Sequence, residues 1–180
     1  MTTFLIILGV LVFYIIIVYN GLIARRNQVR EAWATIDTQL KRRYDLIPNL
    51  LESVKGAAKH EKETLNAVIS ARNAAMTANG VADKSVAENA LTGALKNIFA
   101  LAESYPNLKA NENFLELQRE LTDTENKIQA TRQFYNTVVM GLNTSVEQFP
   151  TNLIANMFGI SKEKLFEIDE SERKAPKVQF

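Results

Sequence analysis

Cysteine is absent from this 180-residue chain, and histidine occurs once, at His60. Without cysteine there are no disulfides, no thiolate metal sites and no cysteine nucleophile. A lone histidine cannot build a zinc site without other ligands. His60-Glu61 has the start of a zinc-protease helix, but H-E-x-x-H needs a second histidine at position 64, where threonine stands. Di-metal helical bundles need E-x-x-H on two helices, which one histidine cannot supply. Glycine and proline are also scarce, at 7 and 4 residues, so few turns interrupt the chain. No phosphate-binding glycine loop and no nucleophile elbow is present. The carboxylate pairs Glu61/Glu63 and Asp123/Glu125 sit two apart, so on a helix they diverge and read as solvated charges. From these absences no cofactor, no metal and no enzymatic activity is expected.

What the chain does have is a long apolar run, Phe4 to Ile23 (FLIILGVLVFYIIIVYNGLI), with Asn20 as its only strongly polar member. A bilayer core of about 30 Å needs roughly twenty apolar residues of helix. Residues 4–23 are therefore expected to span a membrane, with residues 1–3 as a short extracytoplasmic end. A cleavable signal peptide would have a basic start, a shorter apolar stretch and a small-residue cleavage site, and none of the three is seen. Orientation follows from charge, since Lys and Arg near a span stay on the cytoplasmic side. Arg25, Arg26 and Arg30 follow the run and are the topology determinants; Lys41, Arg42 and Arg43 come next. The expected topology is single-pass, N-terminus outside, with everything after Ile23 on the cytoplasmic side of the membrane. Segment 25–43 carries a local charge of +4 against +1 for the whole chain, so the remainder is acidic. A basic field confined to the membrane-proximal stretch fits lipid headgroups and argues against nucleic acid.

The rest reads as helix. Val29, Trp33, Ile36, Leu40, Ile47, Leu50 and Val54 are spaced by three, four or seven, one stripe on one face. Pro48 either ends that helix or kinks it. A second helix runs to about Ala78 with Leu65, Val68 and Ile69, and Asn79-Gly80 stops it. Ser85-x-x-Glu88 reads as a capping box opening a third helix whose face is Ala87, Leu91, Leu95, Ile98, Leu101 and Ala102. Tyr105-Pro106-Asn107 ends it. Asn113-x-x-Glu116 is expected to cap the longest helix, which runs to about Gln148 with the seam Phe114, Leu117, Leu121, Ile128, Tyr135, Leu142 and Phe149. After Pro150, Leu153, Ile154, Met157 and Phe158 would line one side of a two-turn helix closed by Gly159, and are a candidate membrane-interface contact. The expected architecture is all-α: a transmembrane helix, then an antiparallel helical bundle over 24–168, then a polar tail over 169–180, expected to be disordered.

Several charges fall on apolar seams. Arg43 lies seven after Ile36 and seven before Leu50; Glu125 and Arg132 are seven apart beside the Leu121–Ile128–Tyr135 seam. A buried charge is costly unless paired, so Arg43, Glu125 and Arg132 are expected to form a charge network across helices, fixing helix register or serving a partner.

Long stretches of the chain resemble the LemA family of bacterial membrane proteins. They are NQVREAWATIDTQLKRRYDLIPNLLESVKGAAKHE (Asn27–Glu61), Ala71-Arg72-Asn73, YPNLKANENFLELQRELTDTENKIQATRQFYN (Tyr105–Asn136) and FPTNLIANMFG (Phe149–Gly159). The resemblance implies a single-pass, N-out protein with a cytoplasmic four-helix bundle, and no established enzymatic activity. The function expected is that of a scaffold or adaptor acting by protein–protein interaction at the membrane, with an accessory subunit of a membrane enzyme or protease as the alternative. The partners expected are membrane lipid, further copies of the chain as a homo-oligomer, and other proteins.

Overall fold

The computed structural model describes residues 1–57 and 61–166, so His60 and the segment from 167 onward lie outside it. Among the described residues every regular element is a helix: α1 (Thr2–Ala57), α2 (Lys62–Thr77), α3 (Gly80–Glu103), α4 (Pro106–Lys109), α5 (Glu112–Glu147) and α6 (Thr151–Met157). The chain divides into two compact units. Of the described residues, one comprises 1–36 and 131–165; the other comprises 37–57, 61–130 and Phe166. Helices α1 and α5 contribute to both.

The apolar run and the stripe that follows are one unbroken helix of 56 residues, so α1, and not the 36-residue α5, is the longest element. The change of environment along α1 is abrupt. Phe4, Ile7, Val10 and Ile17 are at least half exposed, whereas Leu22 and then Val29, Ile36, Leu40, Ile47, Leu50 and Val54 are buried. The stripe keeps its phase across Pro48, which lies inside the helix.

A proline inside a helix leaves the carbonyl four residues earlier without its amide partner. Here that carbonyl belongs to Tyr44, and the Arg72 side chain of α2 takes the vacant place, its Nε donating to the Tyr44 oxygen at 2.9 Å. The defect is thus satisfied from a neighbouring helix. Arg72→Met should therefore cost about 1–3 kcal/mol, the penalty of an unsatisfied, partly buried acceptor. The cost should shrink in Pro48→Ala, whose amide can bond the same carbonyl. A double-mutant cycle by denaturant unfolding checks this; equal costs of Arg72→Met in both backgrounds would show the contact to be incidental.

Helices α2 and α3 pack against each other as a hairpin joined through Ala78 and Asn79. Gly80 supplies the reversal with φ of +77°, a left-handed conformation that costs glycine little. This places the start of α3 earlier than expected: Asn79 is its N-cap. Ser85 and Glu88 therefore do not cap the helix; they lie a turn and more inside it, both buried. Ala87 and Leu101, expected on the core face, are only half-buried. The cap of α5 is likewise not Asn113 but Asn111, whose Oδ1 accepts from the Phe114 amide at 3.1 Å. Between these helices Pro106 opens the single turn α4, which buries Leu108.

The unit holding residues 131–165 is tied by side chains that bond the non-helical strand of chain after α6. The Tyr135 hydroxyl donates to the Lys164 carbonyl at 3.0 Å. Asn143 pairs reciprocally with the Glu163 backbone at 2.9 Å in both directions. The Trp33 and Tyr135 rings meet edge to face at 5.5 Å. Burial of the Tyr135 phenol, and then the Glu163 charge, push its pKa up to about 12, so it remains a donor at physiological pH. Phe149, placed by periodicity on the α5 seam, is instead 79% exposed, because α5 ends at Glu147 and the chain has already turned.

Candidate functional site

The feature richest in chemistry is a buried charge cluster in the unit of residues 37–130. It is assembled from α1, α3 and α5. Arg43 occupies a stripe position of α1, where its neighbours at that spacing are Leu40, Ile47 and Leu50, and it is 2% exposed. Its guanidinium reaches Glu88 of α3 at 3.2 Å and Glu125 of α5 at 3.1 Å through the same nitrogen, Nη1. The other terminal nitrogen, Nη2, donates to the Thr92 hydroxyl at 2.7 Å.

Glu88 is fully buried and both its oxygens are engaged. Oε2 accepts from Arg43, and Oε1 accepts from the Tyr44 hydroxyl. That hydroxyl also lies 3.3 Å from the Ala75 carbonyl of α2. Burial raises the Tyr44 pKa, and the hydrogen bond to Glu88 raises it further. The phenol is thereby held as a proton donor to the carboxylate. Glu125 differs in being 22% exposed at its side chain, so it remains partly hydrated.

The electrostatic content is one cation between two carboxylates. Isolated burial of Glu88 would be prohibitive, and the Arg43 and Tyr44 donors are what allow it. The cavity beside the cluster, lined by Arg43, Thr92, Leu95, Phe99, Leu121 and Glu125 among others, measures about 120 Å³. Pockets that take drug-sized ligands run to roughly 300–1,000 Å³. The arrangement therefore suits fixing three helices at one level better than enclosing a substrate. Among the described residues no group of three or more His, Asp or Glu side chains is placed to hold a metal ion.

Of the charges singled out from spacing, the structure brings Arg43 and Glu125 together. Arg132 is buried at 3% exposure and belongs to the other compact unit. Sequence reasoning missed Glu88, Thr92, Tyr44 and Arg72. The match at Ala71-Arg72-Asn73 marked Arg72 without giving it a role; the physical signal for that role was Pro48, which forces a search for a donor to the carbonyl of residue 44.

The basic residues that follow the apolar run are placed on α1. Arg25 and Arg30 are exposed, Arg26 is half-buried, and Arg25 Nη1 donates to the Gly141 carbonyl of α5 at 3.4 Å. Of the four apolar residues after Pro150, Ile154 is 6% exposed, while Leu153, Met157 and Phe158 are 60%, 62% and 47% exposed, so they do not share one face. The expectation that all four line one side of α6 is thus corrected: Ile154 is buried and the other three are exposed.

An all-helical chain whose first helix is long and apolar enough to cross a bilayer, with none of that window buried, defines the class of protein. Comparison with known proteins narrows it. The LemA family model matches residues 32–180, and the chain belongs to the LemA family. Protein LemA of Metamycoplasma hominis is 26% identical over 174 residues, covering 94% of this chain and 78% of that protein.

Proposed function

We propose that this protein is a membrane-anchored helical scaffold or adaptor that acts by binding other proteins, including further copies of itself, at the cytoplasmic membrane. The observation that carries the reading is α1. Its apolar window is left wholly unburied, while the same helix, without a break, supplies core positions as far as Val54. Anchor and folded part are one element, so the folded part is confined to the membrane surface. Arg25, Arg26 and Arg30, just past the span, favour the orientation that keeps the folded part cytoplasmic. Helices α1, α2, α3 and α5 are read as an antiparallel four-helix bundle; support comes from Arg43, which links α1 to α3 and α5, and from Arg72, which links α2 to α1.

Binding rather than chemistry is favoured by the surface of α5. Phe134 and Met140 are 58% and 52% exposed and flank the exposed Thr137 at spacings of three, an outer helix face with apolar character. The absence of cysteine makes the test direct. A single cysteine at Thr137, crosslinked in native membranes with a short thiol-reactive reagent, is expected to give a discrete band containing either a second copy or a stoichiometric partner, identified by mass spectrometry. Single cysteines at Thr3 and Ser171 report orientation through an impermeant thiol reagent on intact cells. Labelling at 171 but not at 3 would overturn the orientation, and failure of Thr137→Cys to capture any protein would overturn the scaffold reading.

A further inference from the structure

The chain from Phe149 to Ile160 contains no charged residue and leaves four large apolar side chains in the open: Phe149 at 79%, Leu153 at 60%, Met157 at 62% and Phe158 at 47% exposure. Leu153 and Met157 are four apart on α6 and so lie side by side on one face. These are not the loose end of a chain. Ile154, Ala155 and Ile160 are buried, the Ile160 amide bonds the Ala155 carbonyl at 2.9 Å, and Glu163 is held by Asn143 three residues on. The fold grips the inner side of the segment and presents the apolar side outward.

Where that face sits is fixed by an aromatic contact. The Phe158 ring lies 4.5 Å from the ring of Tyr19, within the same compact unit. Tyr19 belongs to the apolar run, four residues before its last member, Ile23. If the twenty residues Phe4–Ile23 fill a hydrocarbon core of about 30 Å, Tyr19 is about 6 Å inside its edge. Tyrosine at that level is an interfacial anchor. A side chain touching Tyr19 is then at the membrane boundary, and its exposed neighbours Leu153 and Met157 meet lipid, not water. Arg25, Arg26 and Arg30, within three turns past the span, add positive charge at the headgroup level.

We infer that Phe149–Ile160 is a lipid-docking element, inserting Phe149, Leu153, Met157 and Phe158 into the interface of the bilayer that α1 crosses. The inference rests on the reading of Phe4–Ile23 as a membrane span and adds a second attachment to it. With two attachments, the folded part is held against the bilayer in a set orientation instead of swivelling on one helix, because an apolar face buried in the interface resists rotation away from it.

The full-length protein, which has no native cysteine, can carry an environment-sensitive fluorophore at Leu153→Cys, Met157→Cys, Val12→Cys or Gln129→Cys, reconstituted in vesicles of phosphatidylethanolamine and phosphatidylglycerol. All four side chains are on exposed positions, so packing is undisturbed. Quenchers placed high or low on the lipid acyl chain read depth. Labels at 153 and 157 are expected to be quenched several-fold more than the label at 129, by the shallow quencher more than the deep one, at about 5–10 Å below the headgroup boundary. The label at 12 is expected to respond most to the deep quencher. Quenching at 153 and 157 no greater than at 129, with position 12 still quenched, would overturn the docking element and leave the anchor standing. Labels at 153 and 157 shielded from water but unquenched by lipid would mean that a second copy covers this face, which also overturns it. An unquenched label at 12 would remove both readings.

Discussion

Arg43→Ala is expected to lower the stability of the folded part by about 3–5 kcal/mol, the range for removing one partner from a buried ion pair. Its neighbour in sequence provides the control. Arg42 is 45% exposed at its side chain and stands 3.9 Å from Glu120, so Arg42→Ala should cost about 0–1 kcal/mol. The contrast arises because removing Arg43 strands Glu88, which has no exposure at all, and takes the donor from Thr92 as well. Glu88 would then have to take up a proton or draw water into the core. A partial rescue follows from the same physics: Arg43→Met combined with Glu88→Leu removes the cation together with its fully buried counter-charge, leaves Glu125, 22% exposed, to hydration, and should recover much of the loss. Denaturant unfolding of the full chain in detergent, followed by helical circular dichroism, checks all three variants. Equal losses for Arg43→Ala and Arg42→Ala would mean that water already reaches the cluster.

The pattern of what the sequence revealed has a physical cause in each case. The stripe on α1 was legible because burial of a helix face imposes a spacing of three and four whatever the partner, and Arg43 was noticeable because it interrupts that stripe with a charge. Glu88 was not legible. Ser85-x-x-Glu88 has the local form of a capping box, and only the tertiary fact that Asn79 and Gly80 start the helix moves both residues into its interior. Once there, they continue the core spacing to Leu91, Leu95 and Ile98, so a buried carboxylate sits where periodicity calls for an apolar residue. Phe149 shows the opposite error: the seven-residue spacing from Leu142 carried it onto the seam, but a proline at 150 ends the helix before the spacing can be used. The pairing of Phe158 with Tyr19 could not be read at all, since residues more than a hundred apart leave no mark in local pattern.

Deleting residues 1–23 is expected to have the largest effect on function. Fifteen of the residues from 4 to 23 are Leu, Ile, Val or Phe. At about 0.3–0.6 kcal/mol each for insertion, they favour the membrane by about 5–9 kcal/mol, so the truncated protein, left with only the interfacial contact of Phe149–Ile160, should move largely to the soluble fraction. Its partners at the membrane would then be met at bulk concentration and not at the high effective concentration of a shared surface, a loss of about a hundredfold or more in occupancy. The deletion also removes Tyr19 and Leu22, which the folded part contacts, so a second variant separates anchoring from packing. Replacing Phe4–Ile17, which are largely exposed, by an unrelated apolar span while keeping residues 18–23 preserves those contacts and restores the anchor. In a host where loss of the protein has a phenotype, the deletion should abolish complementation and crosslinked complexes together, and the replacement should restore both. His60→Ala, the change to the sole histidine, should leave both intact. If the replacement restores membrane location without restoring complexes, the span itself binds the partner. If His60→Ala abolishes complementation while location and complexes are unchanged, the protein acts through chemistry at that residue and not as a scaffold.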